Sequence, residues 1–379
     1  MRQTILPSTA PRLFVSAVAD ASAESDTGKY VDNIIKPYTV TTYVRLNVDR
    51  KYINFTAGIA VTSLGHAKKQ VARIIADQAQ QLVHCSNLYY SIPAGELASK
   101  LVARTREAAG MADAQRTEII AFTNGFHGRT MGALLVTAND KDQAPFAPLM
   151  PGVHTAYASD ICSVEKMMSR DKTCAVIIEP IQGKGGFLVQ LKALCVQNDA
   201  LLIYNEIQGG FERTGAMWAH CALPKEEHPD IVTMIKALGN GLPFNATMIS
   251  EKMKAALAVS DHGITYGGNP LRVAVGSYVL DQVSNAAFLV RASASSYFFV
   301  RSLELIAQAN PVKGRGLLLG LQLRQVVDAG AVVDTCHAHR LIVITAGGNV
   351  IRLVPALNIP EEAILLGGLN ILAQAVRQM

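Results

Sequence analysis

The stretch Asp230-Ile231-Val232-Thr233-Met234-Ile235-Lys236-Ala237-Leu238-Gly239-Asn240-Gly241-Leu242-Pro243 decides how the chain folds. A short apolar run with β-branched residues ends on one lysine and small residues follow at once, so a buried strand delivers Lys236 to a turn. Ligands of an α/β sheet collect at strand ends. A lysine there loses water, which lowers its pKa and frees the neutral amine to attack a carbonyl and form a Schiff base. Taken alone, a lysine leaving a strand for solvent is the plainer reading of the same residues.

Upstream, Cys174-Ala175-Val176-Ile177-Ile178-Glu179-Pro180 and Ala200-Leu201-Leu202-Ile203-Tyr204-Asn205-Glu206 are strand-length apolar runs ending on polar residues, with a helix-sized segment between them. With the lysine run they form a β-α-β series, which predicts a mostly parallel sheet with its site along one edge. Glu118-Ile119-Ile120-Ala121-Phe122 reads as another buried strand leading into Asn124-Gly125-Phe126-His127-Gly128-Arg129-Thr130. Glycines around an aromatic and an arginine let the backbone approach a flat, charged ligand, although a tight surface turn has the same composition. Helical spacing covers Lys68 to Leu82 and Gly95 to Thr105, and it returns from Asn269-Pro270 to about Ala309. Arg50 to Phe55 alternates as a strand, and Gly314 to Leu323 reads as a strand of a second, smaller unit.

The 379 residues suffice for two domains, or one large domain with a smaller satellite. Half are hydrophobic, which argues against disorder, and the net charge of +5 is spread along the chain, so no nucleic-acid partner is expected. Apolar runs such as Ala175 to Ile178 fall well short of the roughly 20 residues of a membrane helix, so no membrane partner is expected either. Cys85, Cys162, Cys174, Cys195, Cys221 and Cys336 stand singly, as in a reducing compartment. Cys336-His337-Ala338-His339 has no further ligands nearby and reads as an exposed helix face, so no metal is expected. Met1 to about Ala19 carries Arg2 and Arg12 with no acid before Asp20, which suits a transit peptide or a disordered tail.

Seven ordered motifs can now be taken together: Gly58-Ile59-Ala60-Val61, Phe126-His127-Gly128-Arg129-Thr130, Glu179-Pro180-Ile181-Gln182-Gly183, Glu206-Ile207-Gln208, Lys236-Ala237-Leu238-Gly239-Asn240-Gly241, Thr265-Tyr266-Gly267-Gly268-Asn269-Pro270 and Ile351-Arg352-Leu353-Val354-Pro355. Their order and spacing, from roughly Val31 to Ile371, resemble the class III, fold type I pyridoxal-phosphate aminotransferases. The resemblance implies an α/β fold with a large, mostly parallel-sheet domain and a smaller α+β domain. Residues 1–29 would be leader or tail, 30–69 the N-terminal part of the small domain, 70–269 the large cofactor-binding domain and 270–379 the rest of the small domain. It implies transfer of the terminal amino group of N-acetylornithine or a related ω-amine to 2-oxoglutarate, in a homodimer of the mitochondrial matrix or, alternatively, the cytoplasm.

By the same resemblance Lys236 is the catalytic Schiff-base lysine of pyridoxal 5'-phosphate, Phe126 stacks on the ring, and Gln208 bonds its phenolic oxygen. Thr265 reaches the phosphate of the neighbouring subunit's cofactor. Arg129 and Arg352 contact the substrate, Arg352 by gripping its carboxylate with two parallel hydrogen bonds.

The chain departs from the family at the chemistry. The Ser-Gly-Thr-Glu-Ala-Asn segment and its helix, which hold the cofactor phosphate at a helix N-terminus, are missing where Ala108 to Arg116 runs straight into Thr117-Glu118. A smaller deletion joins Arg45 to Leu46-Asn47-Val48 in the N-terminal hairpin. Asn205 stands for the aspartate that faces the ring nitrogen, so it offers a hydrogen bond without charge; strand alternation turns Glu206 away. Lys184 replaces the glutamate that holds the carboxylate-binding arginine, and Ile264 replaces a hydroxyl residue at the substrate contact. Two expectations follow: an active aminotransferase, or a degenerate paralogue that keeps the fold and turns over little.

Overall fold

A computed structural model describes residues 43–47, 50–83, 93, 97, 116–183, 186–254, 265–306, 309–359 and 362–379. The expected leader or tail and most of the helix at Gly95 to Thr105 lie outside these residues.

Thirteen strands are described. They are β1 (Tyr43–Asn47), β2 (Arg50–Asn54), β3 (Glu118–Phe122), β4 (Val153–Ala156), β5 (Thr173–Ile178), β6 (Leu201–Asn205), β7 (Ile231–Met234) and β8 (Ala246–Ile249), followed by β9 (Ala309–Arg315), β10 (Leu318–Leu323), β11 (Leu341–Ile342), β12 (Ile344–Thr345) and β13 (Val350–Leu353). The main sheet has the order β4-β3-β5-β6-β7-β8, with all pairs parallel except β7–β8. The chain passes from β3 to β4 on one side and then returns to β5 on the other. The strand order therefore reverses at β3, which is where an open α/β sheet leaves its crevice.

One face of this sheet is fully covered: Ile120, Phe122, Val176, Ile178, Leu202 and Tyr204 are inaccessible to solvent and pack on the helix Phe187–Gln197 through Phe187, Leu191 and Cys195. The alternate residues Ile119, Ile177, Leu201, Ile203 and Ile231 are only half-buried. A parallel sheet is normally covered on both faces; here the second face is covered only in part, at Ala121 and Ala175.

The two smaller sheets are β1-β2-β11 and β12-β13-β10-β9, and both combine early and late parts of the chain or late parts alone. The β1–β2 pairing slips between Arg45 and Asn47, at the place of the smaller deletion. A second apolar core, from Phe55 through Val232, Met234 and Leu321 to Leu372, joins these sheets to the main one. Phe55 packs edge-on against Phe299 at 5.0 Å within it.

Three details differ from the sequence reading. Gly314 to Leu323 is not one strand, because Gly316 turns the chain at φ 61° and makes β9 and β10 a hairpin. A side chain there would strike the Arg213 carbonyl at 2.5 Å, so the close approach of the two segments demands glycine. The helical region after Pro270 is two helices, Pro270–Val283 and Ala286–Glu304, bent by 70°, and Ala309 already belongs to β9. Cys336 faces the core, so of the Cys336-His337-Ala338-His339 stretch only the last three residues face solvent.

Candidate active site

Lys236 leaves the end of β7 as expected. Asp230 anchors the strand's start: its buried carboxylate accepts from Lys192 Nζ at 3.1 Å and from the Leu202 backbone N–H at 2.8 Å. After Met234 the chain breaks at Ile235 and enters a single 3-10 turn, Lys236–Gly239. Asn240 closes that turn in the left-handed region at φ 43°, and its Oδ1 accepts from Leu64 N–H at 2.8 Å. Lys236 is thus presented from a turn pinned on both sides. Burial pulls its pKa down to about 8; the Arg352 and Arg213 guanidinium groups push the same way and the Glu179 carboxylate opposes them. This is the electrostatic condition of an amine nucleophile at neutral pH.

Asn205 ends β6 and is 3% exposed. Its Nδ2 donates to the Phe126 carbonyl at 3.2 Å and lies 2.9 Å from His127 Nδ1, while Ile207 N–H donates to its Oδ1 at 3.0 Å. Glu206 is turned away from this group, as alternation required: it pairs with buried His220 at 2.8 Å. Burial holds the His127 pKa down to about 4, so the ring is neutral.

Gln208 follows, and its Nε2 is buried without a hydrogen-bond partner among the described residues. A buried orphan donor is costly, and a phenolic oxygen is an acceptor that would satisfy it. Together with a nucleophilic amine on Lys236, this fits the residues present to a pyridoxal ring. At the phosphate end, Arg116 stands just ahead of β3 and is engaged with the Asn198 carbonyl and Asp199.

Phe126 is 46% exposed, and its N–H donates to Glu179 Oε2 at 3.1 Å. Arg129 does not reach toward Lys236 in a way the hydrogen bonds record. Its guanidinium lies 5.6 Å from the centre of the Phe126 ring and pairs with Asp142 at 2.8 Å. Arg352, on β13, is half-buried without a hydrogen-bond partner among the described residues, and burial lowers its pKa while Glu179 raises it. Thr265 is exposed, which suits a residue that serves a second subunit. Ile264 and Lys184 lie outside the described residues.

Three residues in the site were not singled out from sequence. Glu179 sits between the positive charges of Lys236 and Arg352, and burial raises its pKa against both. Arg213 is 1% exposed and donates to the carbonyls of Pro355 and Leu317; burial lowers its pKa to about 9. It ties the loop after β6 to the segments around β10 and β13 and adds positive potential at Lys236. His127 was quoted only as part of a motif. Glu179 directly follows the end of β5 and His127 directly follows Phe126, which was the available signal; Arg213 had none.

Comparison with known proteins identifies the family. The family described as aminotransferase class-III matches residues 31–113 and 94–376, and the chain belongs to it. The two matched pieces overlap at residues 94–113, just ahead of Thr117. The fold is that of the fold type I pyridoxal-phosphate transferases. Among relatives, the mitochondrial acetylornithine aminotransferase of Debaryomyces hansenii is 50% identical over 426 residues, covering 98% of this chain and 91% of that protein. That alignment is longer than the 379-residue chain, so the relative carries segments that this chain lacks. The corresponding enzyme of Neurospora crassa is 41% identical over 94% of this chain and 88% of its own length. The solved N-acetylornithine aminotransferase of Stenotrophomonas maltophilia superposes with a TM-score of 0.76 at 28% identity, over 96% of this chain and 98% of that one.

Proposed function

We propose that the chain transfers the terminal amino group of N-acetylornithine to 2-oxoglutarate, using pyridoxal 5'-phosphate, as a homodimer. The observation that carries this is Lys236, held at a strand end with its pKa lowered to about 8 and an arginine, Arg352, close enough to contribute to that shift. The fungal relatives are named mitochondrial, and the same compartment is assigned to this chain.

The bound cofactor supplies the electron sink that lets a proton leave the carbon carrying the amino group. Lys236 Nζ would hold the cofactor by its aldehyde, and the same amine is the base placed to take that proton and return it. Arg352 orients the substrate by its carboxylate. Glu179 balances Arg352 when the carboxylate is absent, a task the family gives to the residue at position 184. Phe126 offers an open aromatic face for the ring, Gln208 a donor for the phenolic oxygen, and Thr265 a hydroxyl for the phosphate across the dimer. Nothing in the comparisons favours an inactive paralogue.

The test is glutamate formation from N-acetylornithine and 2-oxoglutarate by purified protein supplied with pyridoxal phosphate. Turnover abolished in Lys236→Ala is the expected result; turnover that survives the substitution refutes the assignment of Lys236.

A further inference from the structure

The hydrogen-bond capacity of Asn205 is almost exhausted inside the chain. A carboxamide has two N–H donors and two lone pairs on oxygen. Both donors have acceptors, at the Phe126 carbonyl 3.2 Å away and at His127 Nδ1 2.9 Å away, and one lone pair takes the Ile207 N–H at 3.0 Å. The amide cannot be turned over. That would set its oxygen against the Phe126 carbonyl and its NH₂ against the Ile207 N–H, and these backbone groups can only accept and only donate. The backbone therefore orients Asn205, and Asn205 dictates the tautomer of His127: Nδ1 presents its lone pair and the proton resides on Nε2.

His127 is built for that tautomer. The residue is half-buried, its low pKa keeps it neutral, and Gly125 leaves room for Nε2, which a side chain at 125 would approach to 3.0 Å. Nε2 itself is buried and has no partner among the described residues to compete in setting the proton's place.

We propose that His127 is a positioning residue that takes up the second amide hydrogen of Asn205, leaving residue 205 able only to accept a hydrogen bond from the cofactor ring nitrogen. An acceptor favours the protonated ring nitrogen, and a donor would favour the unprotonated one. A neutral asparagine thus selects the same ring form as the family's aspartate, by hydrogen-bond polarity in place of charge. The inference rests on the proposed function only for the identity of the ring; the tautomer of His127 stands apart from it.

The test uses the full chain with ¹⁵N-labelled histidine, His127 being assigned by the loss of its signal in His127→Leu. In the protein without cofactor, His127 is expected neutral at pH 7 with Nε2 protonated. Asn205→Asp should move the proton to Nδ1, because a carboxylate can only accept. With pyridoxal phosphate labelled at the ring nitrogen, the bound ring should give the protonated shift in the unmodified chain and move toward the unprotonated shift in His127→Leu. A proton on Nδ1 in the unmodified protein overturns the inference and leaves the proposed function standing. An unprotonated bound ring does the same. Failure to take up pyridoxal phosphate at all overturns the proposed function, and the cofactor half of the inference falls with it.

Discussion

The pH dependence of cofactor capture is the sharpest consequence of the Lys236 environment. A pKa of about 8 in place of 10.5 means that burial and two guanidinium groups disfavour the ammonium form by roughly 3 kcal/mol, at about 1.4 kcal/mol per pKa unit. The neutral amine then makes up about a hundredth of Lys236 at pH 6, about a tenth at pH 7, about half at pH 8 and about nine-tenths at pH 9. An ordinary exposed lysine is neutral only to a few parts in roughly ten thousand at pH 7. Capture of pyridoxal phosphate by Lys236 should therefore climb about tenfold from pH 6 to 7 and flatten above 8, and at pH 7 it should outpace surface lysines by roughly 200-fold. Borohydride quenching over a pH series, followed by peptide mapping, reads both quantities. Arg352→Met should move the midpoint upward, because it removes a positive neighbour. A rate that rises tenfold per unit through pH 9, or label scattered over surface lysines, would refute the reasoning, since the amine would then be solvated.

Four further outcomes can be checked. Glu212 is 7% exposed with its pKa raised to about 7 by burial, so the stability of its protonated form is present below pH 4.5 and lost as pH rises through 7; Glu212→Gln should leave urea stability unchanged near pH 4.5 and raise it by up to about 3 kcal/mol above pH 7. Lys184→Glu should lower KM for 2-oxoglutarate by restoring a counter-charge for Arg352, and an effect on kcat alone would assign position 184 to the chemical step. Sedimentation at micromolar concentration should show a dimer, and a monomer would remove the role of Thr265. Asn205→Asp should speed the first half-reaction at saturating cofactor without improving cofactor affinity, whereas grafting the family's Ser-Gly-Thr-Glu-Ala-Asn helix between Arg116 and Thr117 should do the reverse; stopped-flow and equilibrium titration separate the two.

Four strands of the main sheet, β3, β5, β6 and β7, were legible as apolar runs rich in β-branched residues and bounded by polar ones, whereas β4 and β8 are four-residue strands, Val-His-Thr-Ala and Ala-Thr-Met-Ile, with too little pattern to stand out. The hairpin at Gly316 was not, since Gly314-Arg315-Gly316 runs straight into the apolar Leu317-Leu318-Leu319 and the turn shows only in the positive φ of Gly316. At the site, Lys236, Asn205 and Gln208 could be placed because a strand end fixes them. The neighbours of Lys236 could not. Arg213 reaches it from a loop whose position depends on Pro355 and Leu317, more than 100 positions later, and no local periodicity carries that contact. The polarity of the Asn205 amide was equally hidden, because two of its three partners are backbone atoms whose directions exist only in the folded loop after β3 and the turn after β6.

The departures from the family therefore act on separate ends of one site. At the ring end, the substitution at 205 removes a charge but keeps the acceptor, and the orphan amide of Gln208 remains ready for an oxygen. At the phosphate end, the loss is of backbone N–H groups and a helix dipole, which no single side chain replaces. Interactions with the ring govern how far the reaction's charge is stabilised, whereas interactions with the phosphate, which does not change during the reaction, are uniform binding. A chain altered in this way should hold pyridoxal phosphate weakly yet keep its chemistry once loaded, so raising the cofactor concentration should recover turnover. If turnover stays absent at saturation, the ring end has failed as well, and the half-covered sheet face at Ile119, Ile177 and Ile203 becomes the place to look, since it carries the same strands that present Phe126, Glu179 and Asn205.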